Sequence, residues 1–196
     1  MNAPLYVLHL ERDKNRLRHI KHHMMRRLPS LQIWLGIDGA LKNKADNVLS
    51  RYGMHCTSGG AAGLWASYLT FYQFMIDTKI KETIIFQDDV RIERNFMPKV
   101  AKIKKHIKSD YLMCRLGRWD YALLVSQAGA QEFMRLATNQ GDPRQLTDTW
   151  AWARGLITPP VPIRSIKNSN RSYHLAISTS APSTRIIATQ KHRKLK

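Results

Sequence analysis

The chain has 196 residues, 43% of them hydrophobic and 9% aromatic, which suits one globular domain with a sizeable core and excludes a disordered chain. Its 32 Lys and Arg against 14 Asp and Glu give a formal net charge of +18, so a polyanionic partner is expected: nucleic acid, an anionic membrane face or an acidic glycan. The competing reading of the charge is a solvated basic surface that confers only solubility. Cys56 and Cys114 form no Cys-x-x-Cys pair; they indicate neither a zinc site nor a disulfide framework and read as buried thiols in a reducing compartment.

Leu5 to Leu10 is a short apolar run entered after Pro4, the pattern of a strand covered on both faces. The charges just after it make it too short for a signal peptide or a membrane span, so a cytoplasmic placement is expected, in a host cell if the chain is viral. From Asp13, a candidate N-cap, Leu17, Ile20, Met24, Met25 and Leu28 recur at helical spacing until Pro29, with Lys14, Arg16, Arg18, Lys21, Arg26 and Arg27 on the outer face. Leu31 to Leu35 is a second strand, ending in the tight turn Gly36-Ile37-Asp38-Gly39. Strand, helix, strand, loop is the opening of a parallel α/β sheet.

Small residues from Thr57 to Gly63 lead into an apolar helix from about Leu64 to Met75. Thr83 to Phe86 is a strand running straight into Gln87-Asp88-Asp89-Val90, which sets two carboxylates at the carboxyl edge where open α/β sheets bind ligands. Met97 to Lys108 is a basic amphipathic helix, Tyr111 to Leu116 and Tyr121 to Val125 are strands, and Ser126 caps a helix to about Ala137. Residues 1–185 read as one domain and 186–196 as a basic tail expected to be mobile.

Adjacent acids after a strand suit Mn²⁺ or Mg²⁺, hard ions that take oxygen ligands and offset charge on a departing diphosphate. Such pairs also end strands as turn formers or caps. Around them lies an ordered set of motifs: His9-Leu10-Glu11-Arg12 with Arg16, Asp38-Gly39, Gly60-Ala61-Ala62-Gly63 leading to Ser67-Tyr68, Gln87-Asp88-Asp89-Val90, and Tyr121 to Ala130. Together they resemble glycosyltransferase family 25, the lipooligosaccharide and collagen galactosyltransferase group. His9 stands where the family has Asn, Ala61 where it has Glu, and Tyr68 where it has His.

The resemblance implies a GT-A fold, a Rossmann-like α/β domain with a mostly parallel central sheet flanked by helices. It further implies a nucleotide-sugar donor, uridine diphosphate favoured, Mn²⁺ at Asp88 and Asp89, and inversion at the anomeric carbon. On it, His9, Leu10, Arg12, Arg16, Asp38, Gly39, Gln87 and Asp88 are donor-site candidates, and a late histidine, His174, is a candidate third metal ligand or else polar surface in a Ser-rich tail. Ser58, Gly59 and Gly60 are candidates to face the donor, or else packing devices at a helix start. Asp148 matches an aspartate that follows the capped helix in the family; general base and helix N-cap both suit it.

The acceptor is read from charge, since a neutral sugar needs no excess of eighteen positive charges whereas a phosphate backbone uses them. A hydroxymethylated base in DNA is the favoured acceptor, with Trp119, Trp150 and Trp152 as candidate base contacts or, alternatively, core residues. The rival acceptor is a lipooligosaccharide or a protein at an anionic membrane. The replaced family residues motivate a third reading, a nucleic-acid binding protein on a decayed transferase fold.

Overall fold

A computed structural model describes residues 3–55, 59–107, 109–116, 121–143, 151 and 153–158. Strand β1 (Leu5–His9) is buried throughout its length. It is followed by one basic helical stretch: α1 (Lys14–His19), a π-helical turn (Ile20–Met24) and α2 (Met25–Arg27). Asp13 starts that stretch by accepting from the Arg16 amide at 3.0 Å, the capping role expected of it. Strand β2 (Leu31–Leu35) comes next, then α3 (Lys42–Leu49), a 3₁₀ turn (Ser50–Tyr52), and the long α4 (Gly60–Asp77).

Strand β3 (Glu82–Gln87) leads through the acidic pair to α5 (Phe96–Lys104). Then come β4 (Met113–Arg115), β5 (Ala122–Ser126), α6 (Gln127–Gln140) and the two-residue β6 (Ile157–Thr158). Ser126 caps α6 by accepting from the Gly129 amide at 3.0 Å. The expected tail at 186–196 lies outside the described residues, so the proposed domain limits rest on the sequence.

The strands form one sheet in the order β2-β1-β3-β5-β4-β6. Both neighbours of β1 run parallel to it, β5 is antiparallel to β3 and β4, and β6 is parallel to β4. One strand, β5, therefore opposes five, and the sheet is mostly parallel as expected. Alternation along β1 splits the core into two layers. Leu5 and Val7 face Ile20, Met24 and Leu28 of the basic stretch and Phe96, Val100 and Ile103 of α5. Tyr6 and Leu8 share a cluster with Ala45 and Leu49 of α3, Trp65, Leu69, Phe71 and Tyr72 of α4, and Phe133 of α6.

Side chains buried this fully contribute about 1.5–3 kcal/mol each, which explains why α4 holds its place with an apolar sequence whose single charge is the terminal Asp77. Helix α4 begins at Gly60, four residues ahead of the expected start, because the small residues form its first turn rather than a lead-in. Cys114 is buried as expected and burial pushes its thiol pKa up to about 11; Cys56 lies outside the described residues. Among the described residues, no helix is long and apolar enough to cross a membrane.

Candidate active site

The chain passes from β1 to β2 through the basic stretch on one face of the sheet and from β2 to β3 through α3 and α4 on the other. The connections thus diverge between β1 and β3, and such a switch point opens a crevice at the carboxyl ends of the strands. A pocket of about 230 Å³ lies there, lined by the end of β1, the Gly36–Gly39 turn, the start of α4, and Gln87 and Asp88. Pockets that enclose a whole small ligand run to about 300–1,000 Å³, so the space bounded by the described residues takes one end of an extended molecule.

Asp88 is the most buried acid of the site, 5% exposed, and a carboxylate so placed needs partners. It has two. His9 Nδ1–H donates to Oδ2 at 2.9 Å, and Arg16 Nη1 donates to Oδ1 at 2.5 Å. The same guanidinium reaches Asp89 Oδ2 at 3.4 Å and Asp13 Oδ2 at 3.3 Å. Burial opposes the Arg16 charge, but Asp88, Asp89 and Asp13 outweigh it and raise its pKa above the ordinary value. Arg16 is thus a fixed cation bridging the acidic pair.

The opposite wall is held by backbone contacts. The Gly36 amide donates to the His9 carbonyl at 2.8 Å, the Gly59 amide to the Gly39 carbonyl at 2.9 Å, and the Ile37 amide to Ser67 Oγ at 2.7 Å. Gly39 and Gly63 let the turn and α4 touch: a Cβ on Gly63 would lie 2.5 Å from the Gly39 nitrogen and 2.6 Å from the Ile37 oxygen. Arg12 pairs with Asp38 at 2.8 Å over the rim. The first bond within α4 runs from the Gly63 amide to the Gly59 carbonyl. The amides of Gly60, Ala61 and Ala62 precede it and lack an intrahelical acceptor, a ready seat for an anion.

His9, Leu10, Arg12, Arg16, Asp38, Gly39, Gly59, Gly60, Gln87 and Asp88, all expected donor-site residues, line this one pocket. Asp89 adjoins it through Arg16. Ser58, Asp148, His174, Trp119, Trp150 and Trp152 lie outside the described residues. Sequence reasoning missed Gly36, Gly63 and Ser67 as pocket residues, although the Gly60-x-x-Gly63 spacing already signalled close backbone approach. Tyr68, in place of the family histidine, turns away into the core, with its ring 5.6 Å from that of Tyr72.

The implied divalent cation can be tested against these atoms. Among the described residues Asp89 Oδ1 is buried without a hydrogen-bond partner, a state that costs about 1–3 kcal/mol unless something takes the oxygen. A hard cation is such a taker, so the acidic pair fits one, with Asp89 as the readier ligand because both Asp88 oxygens are already held. Among the described residues, no group of three or more His, Cys, Asp or Glu gathers for a metal.

Residues 2–140 match the family model described as Glycosyltransferase family 25 (LPS biosynthesis protein). No curated protein sequence matches significantly. Among solved structures, the chain is similar to a glycosyltransferase involved in the glycosylation of the major capsid of PBCV-1, at 10% identity and a TM-score of 0.46, covering 79% of each chain. It is also similar to the apo-form glycosyltransferase GlyE of Streptococcus pneumoniae TIGR4, at 13% identity and a TM-score of 0.41, covering 79% of this chain and 43% of that one.

Proposed function

Because the chain belongs to glycosyltransferase family 25, we propose that its pocket seats a nucleotide-sugar donor and that the sugar passes, with inversion, to a hydroxymethylated base in DNA. The observation that carries the donor half is the meeting, at one switch-point crevice, of Arg12, Arg16, the acidic pair and the N-terminus of α4. Donors from two sides converge there on a space for an anion, the arrangement a diphosphate needs.

In this reading Asp89, with Asp88 beside it, holds Mn²⁺ or Mg²⁺, and His174 is the proposed third protein ligand. The ion, when bound, supplies positive charge for the diphosphate as it leaves. Asp88 keeps Arg16 and His9 in place, and Gln87 and the Gly36–Gly39 turn shape the cavity. The acceptor oxygen attacks the anomeric carbon from the face opposite the diphosphate, the bond to the diphosphate breaks, and the hydroxyl proton passes to a base, for which Asp148 is proposed.

The acceptor half rests on where the charge lies. The stretch from Lys14 to Arg27 carries Lys14, Arg16, Arg18, Lys21, Arg26 and Arg27 and no acid; α5 adds Lys99, Lys102 and Lys104, of which Lys99 pairs with Glu93 and Lys104 with Glu82. On the other face of the sheet, α3, α4 and α6 balance Lys42, Lys44 and Arg135 against Asp46, Asp77 and Glu132. The excess of cations thus lies on the helical stretch that supplies Arg16 to the pocket, which suits a backbone of phosphates. Trp119, Trp150 and Trp152 are proposed to contact the base.

The description of the matched family as LPS biosynthesis favours a second reading, a lipooligosaccharide acceptor with the same basic face on an anionic membrane. Incubation with Mn²⁺, a panel of nucleotide sugars and both hydroxymethylated duplex DNA and truncated lipooligosaccharide separates the two by product mass. Sugar-bearing DNA is the expected product. DNA retention is expected to fall by roughly 10³-fold between about 50 and 200 mM salt; binding indifferent to salt would sink the DNA reading.

A further inference from the structure

The helix that supplies Arg16 holds the chain beyond β3 at two further points outside the donor pocket. After Arg16 meets Asp88, His19 Nε2–H donates to the Val90 carbonyl at 2.7 Å, and the Ile92 amide donates to His23 Nε2 at 3.0 Å. Residues 16, 19 and 23 form one stripe of the helix, and they take alternate residues 88, 90 and 92 of the facing segment.

Directly after His19 the helix widens into the π-turn Ile20–Met24, which contains His23, with the Met25 amide donating to the Ile20 carbonyl. Such turns are rare and lie frequently at functional sites. Here the turn accompanies parallel imidazoles: the rings of His19 and His23 stack with centroids 4.9 Å apart and planes at 16°. Val90 and Ile92 bury their side chains, each 1% exposed, and backbone groups carried in with them require polar partners. The two histidines provide them.

We infer that His19 and His23 are positioning residues for the donor site, a latch that fixes the chain past Asp88 and Asp89 so that both carboxylates stay in register with Arg16. The inference rests on the donor reading above. Val90 and Ile92 pack in one cluster with Ile20 and Met24, but apolar packing is non-directional, whereas the Val90 oxygen and the Ile92 amide need a donor and an acceptor at fixed places.

The latch is also sensitive to acid, since His23 accepts from Ile92 only through an unprotonated Nε2. Burial, then Arg27 and His19 on its own helix and Arg91 on the facing segment, lower the pKa of His23, while the Ile92 contact raises it in part. Arg27 Nη1 lies 3.1 Å from Nδ1, so a cation stands beside the ring as well. A histidine whose pKa is lower folded than unfolded stabilises the fold above its ordinary value near 6.5, and that contribution disappears as pH falls through the folded value.

Calorimetric titration with uridine diphosphate and Mn²⁺, between about pH 5 and 8, tests the latch on the full chain, with thermal midpoints measured alongside. His23→Leu and His19→Leu are expected to weaken nucleotide binding about tenfold at neutral pH, the order set by one lost part-buried hydrogen bond. His23→Gln, whose side-chain oxygen accepts the Ile92 amide, is expected to bind like the wild type and to lose the weakening of binding on acidification. Leucine variants that bind like the wild type, or a glutamine variant with an unchanged pH profile, would overturn the latch and leave the donor site standing. Failure of the wild type to bind the nucleotide would remove the donor reading and the latch with it.

Discussion

Asp89→Asn is expected to fold like the wild type and to transfer sugar more slowly by on the order of 10²–10³-fold. Among the described residues its carboxylate makes one long contact, 3.4 Å to Arg16, and its side chain is a third exposed, so the change leaves the Asp88, Arg16 and His9 cluster intact. Loss of the charge removes the oxygen ligand proposed for the ion. Asp88→Asn is expected to behave differently, because an amide presents one acceptor and one donor where His9 and Arg16 both donate. Breaking that buried pair is expected to cost about 2 kcal/mol, at the low end of such losses because Arg16 is half exposed and water screens its charge. For a chain of this size the thermal midpoint then falls by about 4–8 °C. Initial rates and midpoints measured on both variants separate the two roles. A full rate in Asp89→Asn would dismiss the ion from the mechanism.

Much of this site was legible before the fold was known, for a definite reason. Residues at the ends of β1, β2 and β3 lie far apart in the chain but share one edge, because parallel strands point their carboxyl ends the same way. Apolar runs mark those strands, so Arg12, Asp38 and Asp88 are found among the first polar residues after each run. The Asp13 and Ser126 caps were legible too, since the chemistry of a cap is local.

Tertiary contacts set the features that escaped. The antiparallel course of β5 comes from its pairing with β3 and β4, which its own residues do not encode. The polar stretch Lys42–Leu49 is helical because Ala45 and Leu49 are fully buried beneath α4, a stripe too sparse to stand out among Lys, Asn and Asp. His9 looked like the loss of a family asparagine, yet it donates to Asp88 and so carries a polar role of its own. The π-turn has no signature in Ile20 to Met24, and its alignment of His19 and His23 is visible only against the segment they hold.

The second large effect is expected from a single methyl group. Gly63→Ala puts a Cβ 2.5 Å from the Gly39 nitrogen and 2.6 Å from the Ile37 oxygen, and both are backbone atoms that no rotamer change can move. Alanine gains about 1 kcal/mol over glycine within a helix, whereas overpacking of this kind costs about 1–3 kcal/mol and more when backbone must shift. The clash is therefore expected to win, with the midpoint falling by several degrees. Relief comes only if α4 and the Gly36–Gly39 turn move apart, which widens the pocket and weakens the donor seat. Gly60→Ala provides the contrast, because among the described residues no atom beyond its chain neighbours and its own helix backbone lies within 4 Å of a Cβ built there, and it is expected to keep the wild-type midpoint. Gly60 nevertheless lines the pocket at the start of α4, so a methyl group there stands where the diphosphate is proposed to sit. Weaker nucleotide binding with unchanged stability in Gly60→Ala, against loss of both in Gly63→Ala, is the pattern expected if α4 faces the ligand at Gly60 and the Gly36–Gly39 turn at Gly63. Equal stability of the two variants would mean that the close approach of Gly39 and Gly63 does not set the position of α4.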